Sequence, residues 1–116
     1  MAVKFVIALF ESKGIAEDAC NRLRTEGVPD VDISLVLLRE TAALPGVEAP
    51  SPDPLLLDDV RERYAEFIRN GETAVFIRAQ SEAAIDLAVD TVRQYSPLRI
   101  RVATAGEGAP IGRDLL

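Results

Sequence analysis

The stretch V-K-F-V-I-A-L, from Val3 to Leu9, opens the strand–helix–strand unit that decides the fold. Apolar residues then recur at helical spacing over Gly14–Glu26, and V-D-I-S-L-V-L follows from Val31 to Leu37. A change of apolar period from strand to helix and back is typical of a βαβ unit. Gly27 stands at the expected end of the helix, and Ser12 is the predicted N-cap.

The second half of the chain repeats this plan. T-A-V-F-I-R-A begins at Thr73, Ser81 caps a predicted helix over Glu82–Tyr95, and L-R-I-R-V-A begins at Leu98. Near-continuous apolar strands predict central positions, and alternating strands predict the edges. Two such units in one chain predict an α+β, ferredoxin-like antiparallel sheet with strand order 4-1-3-2.

An insertion separates strands 2 and 3 of this plan. Residues 39–53 form a proline-rich spacer, which favours an extended path. Asp53 and Pro54 then form an N-cap and N1 pair, and an extra helix is predicted over residues 54–69. Residues 104–116 are interpreted as a mobile C-terminal tail, in which Ile111, Leu115 and Leu116 are candidates for docking. The whole chain, 1–116, is expected to be one domain.

Composition bounds the class of protein. The chain has 116 residues, of which 48% are hydrophobic and 28% charged, as in an ordinary globular domain. The formal net charge of −6 argues against nonspecific nucleic-acid binding, which depends on neutralising phosphates. The first apolar run is too short for a membrane span and lacks a cleavage site, so we expect a cytoplasmic protein without a membrane partner.

The residues that the sequence lacks limit its chemistry. It contains no histidine, and its one cysteine, Cys20, lies on the apolar stripe of the first helix. A zinc site or a Cys–His nucleophile is therefore excluded, and Cys20 is interpreted as a small buried hydrophobe. Ser12-Lys13-Gly14 could hold an anion at a helix start, although a simple cap is favoured. We expect no catalytic residue, metal or cofactor, which disfavours an enzyme.

A family resemblance rests on the second half of the chain. R-E-R-Y-A-E-F-I-R-N-G-E-T-A-V-F-I-R-A, from Arg61 to Ala79, precedes an Ala-rich helix and a final strand. This pattern resembles the general stress protein domain of the YflT type, found in bacteria. The opening βαβ unit is similar to the first unit of that domain, so the likeness covers most of the chain. The resemblance implies a stress-associated role and supplies no catalytic residues.

Strand alternation predicts a basic patch on the sheet face opposite the helices. Val75, Ile77, Leu98, Ile100 and Val102 are assigned to the helix side. The opposite face would then collect the candidate anion-binding residues Lys4, Arg78, Arg99 and Arg101, with Ala8 beside them. Three interpretations stay open: solvated arginines that protect an edge, a small-anion site, or a face that packs against the 54–69 helix or another subunit.

The same face is predicted to carry an apolar strip made of Val6, Val36 and Phe76. Because soluble monomers seldom expose a large apolar patch, this strip predicts a homodimer. The first functional hypothesis is a non-catalytic, stress-associated or regulatory module that acts through self-association. The alternative is a sensor of a small anion or metabolite, of the ACT-like type, by analogy of fold alone.

Overall fold

The computed structural model describes residues 3–37, 73–105 and 111–115. In these residues the protein is an α+β fold with a five-stranded antiparallel sheet. The strands are β1 (Val3–Phe10), β2 (Ile33–Leu37), β3 (Thr73–Ala79), β4 (Arg99–Ala105) and β5 (Ile111–Asp114), and their order is β2-β3-β1-β4-β5. The helices are α1 (Lys13–Thr25) and α2 (Glu82–Arg93). The predicted spacer 39–53 and helix 54–69 lie outside the described residues.

Both helices begin at the serines that the sequence indicates. The Ser12 hydroxyl accepts a hydrogen bond from the Ile15 N–H at 3.3 Å, and the Ser81 hydroxyl accepts one from the Ala84 N–H at 3.1 Å. Each bond satisfies a backbone donor that has no partner inside its helix. The predicted N-caps are confirmed. The simple-cap interpretation of Ser12-Lys13-Gly14 therefore accounts for that turn.

The end of α1 is set by Gly27. This residue has φ +102°, a left-handed conformation that favours glycine. The Val28 N–H then donates to the Leu23 carbonyl at 3.0 Å, and the Gly27 N–H donates to Arg24 at 3.1 Å. These two bonds form a Schellman motif, which closes the helix and turns the chain towards the 3₁₀ turn Asp30–Asp32 and β2.

Both helices pack on one face of the sheet. Helix α1 lies against β2 and β3, and α2 lies against β1 and β3. Together they bury the main core, whose larger members are Val6, Phe10, Leu23, Ile33, Val75, Ile77, Ile85, Val89, Val92 and Ile100. The predicted helix-side positions of Val75, Ile77, Ile100 and Val102 are confirmed. Leu98 is a correction, because it packs against the cluster on the opposite face.

Strand β1 has the opposite orientation to the predicted one. Val6 is paired with Ile77 and Val102, and Ala8 with Val75 and Ile100, so both lie on the helix side. The residues of β1 that join Phe76 are Phe5, Ile7 and Leu9. Because every residue from Phe5 to Phe10 is apolar, alternation within β1 could not indicate which set faces the helices.

The C-terminal segment contributes a strand to the sheet. Strand β5 pairs antiparallel with β4 from Thr104–Ile111 to Arg101–Asp114. The predicted mobile tail is therefore wrong for Ile111–Asp114, and β4 is an internal strand instead of the predicted edge. Leu115 does dock, since its side chain packs against the main core and its N–H donates to the Ile100 carbonyl at 2.7 Å.

Candidate functional site

The four residues of the predicted anion patch do not converge. Lys4 lies on the helix side of the sheet, and its Nζ contacts Glu82 Oε1 of α2 at 3.4 Å. Arg78, Arg99 and Arg101 share the opposite face, as alternation predicts. Lys4 is separated from them because alternation places it on the same side of β1 as Val6, and that side faces the helices.

Each arginine of the opposite face has a polar partner. Arg78 donates through Nη2 and Nε to Asp32 Oδ1 at 2.8 and 2.9 Å. Arg101 donates through Nη1 to Asp114 Oδ1 at 3.0 Å. Arg99 donates through Nη1 to the Leu98 carbonyl at 3.4 Å. Because each of these three arginines already has a partner, the main argument for an anion site on this face is removed.

The predicted apolar strip is buried within the single chain. Phe76 is 0% exposed and Val36 is 5% exposed. They belong to a second core cluster with Ile7, Leu9, Ala74 and Ala103, on the face opposite the helices. Val6 belongs to the main core instead. Self-association thus receives no support from exposed apolar surface at Val6, Val36 or Phe76.

A groove lies on the helix side of β4 and β5, beside the first turn of α2. It has a volume of about 430 Å³ and is lined by Lys4, Glu82, Ile85, Val102, Thr104, Gly112 and Arg113. We call it the β4–β5 groove. It forms because α1 and α2 lie mainly over β1, β2 and β3, which leaves the β4–β5 side of the sheet beyond the helix layer. Its volume is within the range of small-ligand pockets.

The β4–β5 groove combines aliphatic surface with two cationic side chains, those of Lys4 and Arg113, and one carboxylate, that of Glu82. Ile85 and Val102 supply the aliphatic surface, and Arg113 makes no ion pair in the part of the chain that the structure describes. Lys4 is paired with Glu82, but both side chains are largely exposed, at 48% and 76%. An exposed pair of this kind contributes little stability, so Lys4 can exchange its partner readily. The arrangement suits a small anion that also carries an apolar group.

The sequence did not predict that residues of β5 line a groove. Arg113 and Gly112 belong to a four-residue strand that follows Ala105-Gly106-Glu107-Gly108-Ala109-Pro110, a glycine-rich stretch typical of a tail. The available signal was the alternation in I-G-R-D from Ile111 to Asp114, which places Arg113 on one face and Asp114 on the other. Four residues are too few for periodicity to identify a strand.

Cys20 is an inert part of the core. It is 2% exposed, which confirms its interpretation as a small buried hydrophobe. Burial raises the pKa of the Cys20 thiol to about 11, against a smaller opposite influence of Arg24. At neutral pH the thiol is therefore protonated, and the protonated form is a poor nucleophile and a poor metal ligand.

The described residues contain neither a metal-binding cluster nor a helix that could cross a membrane. Residues 3–37, 73–105 and 111–115 contain no group of three or more His, Cys, Asp or Glu side chains placed to hold a metal ion. No helix in these ranges has the length and apolar character required to cross a membrane.

Comparison of the chain with family models, with curated proteins and with solved structures found no significant match. Membership of the general stress protein domain family therefore stays a prediction.

Proposed function

We propose that this protein is a non-catalytic regulatory module that binds a small anion bearing an apolar group in the β4–β5 groove. The observation that supports this function is the placement of Lys4 and Arg113 beside Ile85 and Val102 around about 430 Å³ of space. It corresponds to the second functional hypothesis from the sequence, a small-ligand sensor, at a different location.

Different residues of the groove would bind the charged part and the apolar part of the ligand. The Arg113 guanidinium offers paired N–H donors to a carboxylate or phosphate, and the Lys4 ammonium adds a second positive charge. The aliphatic surface of Ile85 and Val102 takes the apolar part of the ligand. A ligand without an apolar group would leave that surface in contact with water, and a cation would meet the two positive charges of Lys4 and Arg113 against the one carboxylate of Glu82.

Binding without reaction fits the residue types of the chain. The sequence contains no histidine, and the pKa of its one thiol is raised to about 11. General-base and nucleophilic chemistry near neutral pH usually depends on such groups. We infer a regulatory role for the same reason, in keeping with the stress-associated function that the family resemblance implies.

We also infer a ferredoxin-like topology for the sheet. Support comes from the central positions of β1 and β3, the antiparallel pairing throughout, and the neighbours β4-β1-β3-β2 within the five-stranded order. Strand β5 extends this plan beyond β4 and builds one wall of the groove.

Titration with hexanoate, acetate and hexylammonium, followed by amide NMR shifts, tests the binding function. We expect hexanoate to shift resonances of residues 102–104, 112–113 and 82–85 with a dissociation constant of about 0.1–10 mM, as suits a ligand of this size. Acetate should bind more weakly because it has no apolar chain. Hexylammonium should not bind at the groove.

Two substitutions locate the anion contact. Arg113→Gln should weaken hexanoate binding about tenfold, because it removes a charge-assisted hydrogen bond. Arg93→Gln is the matched control, since Arg93 is an exposed arginine in the last turn of α2, away from the groove lining. Equal binding of hexanoate and hexylammonium, or equal affinity of the Arg113 and Arg93 variants, would refute the proposed site.

Self-association is a second candidate, and β2 supports it. Among the described strands β2 is the last at one end of the sheet, and Ile33–Leu37 contain no charged residue. Uncharged edge strands tend to pair with other strands, whereas the opposite end of the sheet carries Arg113 and Asp114. We propose that two copies pair through β2.

Sedimentation over a range of protein concentrations tests this pairing. Leu35→Lys should shift the equilibrium to monomer, because a lysine on an edge strand opposes strand addition. Val28→Lys is the control, since Val28 is another half-buried apolar residue packed on the main core but lies outside the strands. A wild-type protein that stays monomeric at high micromolar concentration would remove self-association from consideration.

A further inference from the structure

Strand β5 presents different chemistry on its two faces. Arg113 is paired with Val102 and lines the β4–β5 groove. Asp114, the next residue, is paired with Arg101 and accepts a hydrogen bond from its Nη1 on the opposite face of the sheet. A strand of four residues therefore carries both a cationic wall of the groove and a carboxylate that faces away from it.

Arg101 needs a negative partner more than any other arginine of that face. Its side chain is 6% exposed, and its Nε is buried without a hydrogen-bond partner among the described residues. The Asp114 carboxylate is the acidic group that contacts it in the described part of the chain. Loss of that carboxylate would leave a buried charge uncompensated, and buried unpaired charges are strongly unfavourable. Docking of β5 on β4 therefore places beside Arg101 the carboxylate that neutralises it.

The other contacts of β5 fix its position closely against β4. At Gly112 the backbones of β5 and β4 approach so closely that an added Cβ would lie 2.5 Å from the Val102 carbonyl oxygen. Beyond Asp114, the Leu115 N–H donates to the Ile100 carbonyl. Since β5 is short, any shift of Asp114 displaces its neighbour Arg113 and the groove wall with it.

We propose that Asp114 is the positioning residue of the ligand site, and that docking of β5 through the Arg101–Asp114 pair is thermodynamically coupled to occupancy of the β4–β5 groove. The inference rests on the proposed function, because it concerns the regulation of the same site. The ligand and the Arg101–Asp114 pair both contact β5, from opposite faces of the sheet. A ligand that binds only when β5 is docked must stabilise the docked strand, and the stabilisation is reciprocal.

Hydrogen exchange of the ligand-free protein tests whether the Arg101–Asp114 pair holds β5 on the sheet. Asp114→Asn should speed exchange of the amides of residues 111–115 and of the facing amides in 100–104 by about tenfold or more, since the docked strand loses its charge partner. Asp32→Asn is the matched control, because it breaks the Arg78 ion pair on the same face at the other end of the sheet. Unchanged exchange in Asp114→Asn would overturn the inference.

Hexanoate titration of the same variants tests the coupling. Asp114→Asn should weaken hexanoate binding about fivefold or more, although Asp114 faces away from the groove. Asp114→Glu should recover part of the affinity for hexanoate. Asp32→Asn should bind hexanoate with wild-type affinity. In wild type, saturating hexanoate should slow exchange of residues 111–115. If Asp114→Asn does not fold, Arg101→Met, which leaves no buried charge, serves instead and should weaken binding in the same way.

The outcomes separate this inference from the proposed function. Wild-type affinity in Asp114→Asn, together with normal binding by wild type, would overturn the coupling alone and leave the groove as a ligand site. Absence of hexanoate binding to wild type would overturn the proposed function and the coupling with it, while the exchange experiment still decides whether Asp114 holds β5.

Discussion

Arg101 Nη1 lies 3.0 Å from Asp114 Oδ1, and this contact joins a side chain that is 6% exposed to one that is 48% exposed. The two residues are 13 positions apart and face each other across the β4–β5 ladder. The pair explains how an arginine is tolerated on the second core face, next to Ile7 of β1. It also adds a side-chain contact to the backbone pairing that joins the C-terminal segment to the sheet.

Removing the acidic member of this pair should cost more stability than removing the basic member. Asp114→Asn should lower the free energy of unfolding by about 1–3 kcal/mol, because it leaves the buried guanidinium without its charge partner. Arg101→Met should cost less, since it removes the buried charge as well. Urea denaturation of both variants and of the double variant measures the difference. Equal losses in the two single variants would contradict this account.

Phe76 should behave as a core residue and not as an interface residue. Because it is fully buried in the single chain, Phe76→Ala should lower the free energy of unfolding by about 3–5 kcal/mol. The loss should not depend on protein concentration. Denaturation at 2 and 200 μM, as rough limits, checks this. A loss that appears only at the higher concentration would return Phe76 to an interface.

Two glycine substitutions should have opposite effects. Gly112→Ala places a Cβ against the Val102 carbonyl and the Ala103 Cα, so it should displace β5 and cost about 1–3 kcal/mol. Gly14→Ala meets no atom within 4 Å in the first turn of α1, where alanine is the better helix former. It should be neutral or stabilise by up to about 1 kcal/mol. Thermal unfolding of both variants distinguishes the two sites.

Cys20 should make folding stability fall at alkaline pH. The folded-state pKa, about 11, lies above the ordinary thiol pKa of 9.0, so the thiol contributes stability that is fully present below pH 9 and lost as pH rises to 11. Urea denaturation between pH 8 and 11 should show a decline steeper in wild type than in Cys20→Ala, by about 2 kcal/mol over this range. Parallel curves would mean that burial does not raise the pKa of this thiol.

The same property controls the reactivity of Cys20. At pH 8 only about one folded molecule in a thousand should carry a thiolate, compared with about one in ten for an unfolded chain. An aromatic disulfide reagent should therefore label the native protein far more slowly than the protein in urea. Rapid labelling of the native state would show that Cys20 is accessible and activated.

Zinc and chelators should leave the melting temperature unchanged. The chain contains no histidine, and its one cysteine is buried with a raised pKa, so the usual zinc ligands are missing. Differential scanning with excess zinc, with a chelator and with reductant measures this. A shift of several degrees with zinc or chelator would reveal a metal site.

Local features of the fold could be predicted from the sequence. Ser12, Ser81 and Gly27 act on backbone groups within a few residues of themselves, so their roles as caps are visible in the chain alone. The helix-side assignment of Val75, Ile77, Ile100 and Val102 was correct because alternation in β3 and β4 includes polar residues that mark the other face.

The orientation of β1 and the position of β5 were decided by tertiary structure. Phe5–Phe10 are apolar on both faces, so only pairing with β3 and β4 selects which residues meet the helices. Lys4 follows from that choice, and with it the separation of Lys4 from Arg78, Arg99 and Arg101. In the same way, only the pairing of β5 with β4 brings Arg101 and Asp114 into contact.

By itself the sequence determined that β1 to β4 are strands, that α1 and α2 are helices, where the helices start, and which chemistries lack their residues, because these depend on neighbouring residues or on composition. Only the tertiary structure decided that Arg101 is buried and neutralised and that Arg113 borders a groove with Lys4 and Val102. The register of two strand pairs, β1–β4 and β4–β5, determines those contacts. Register is a property of long-range pairing, which no local pattern in this chain specifies.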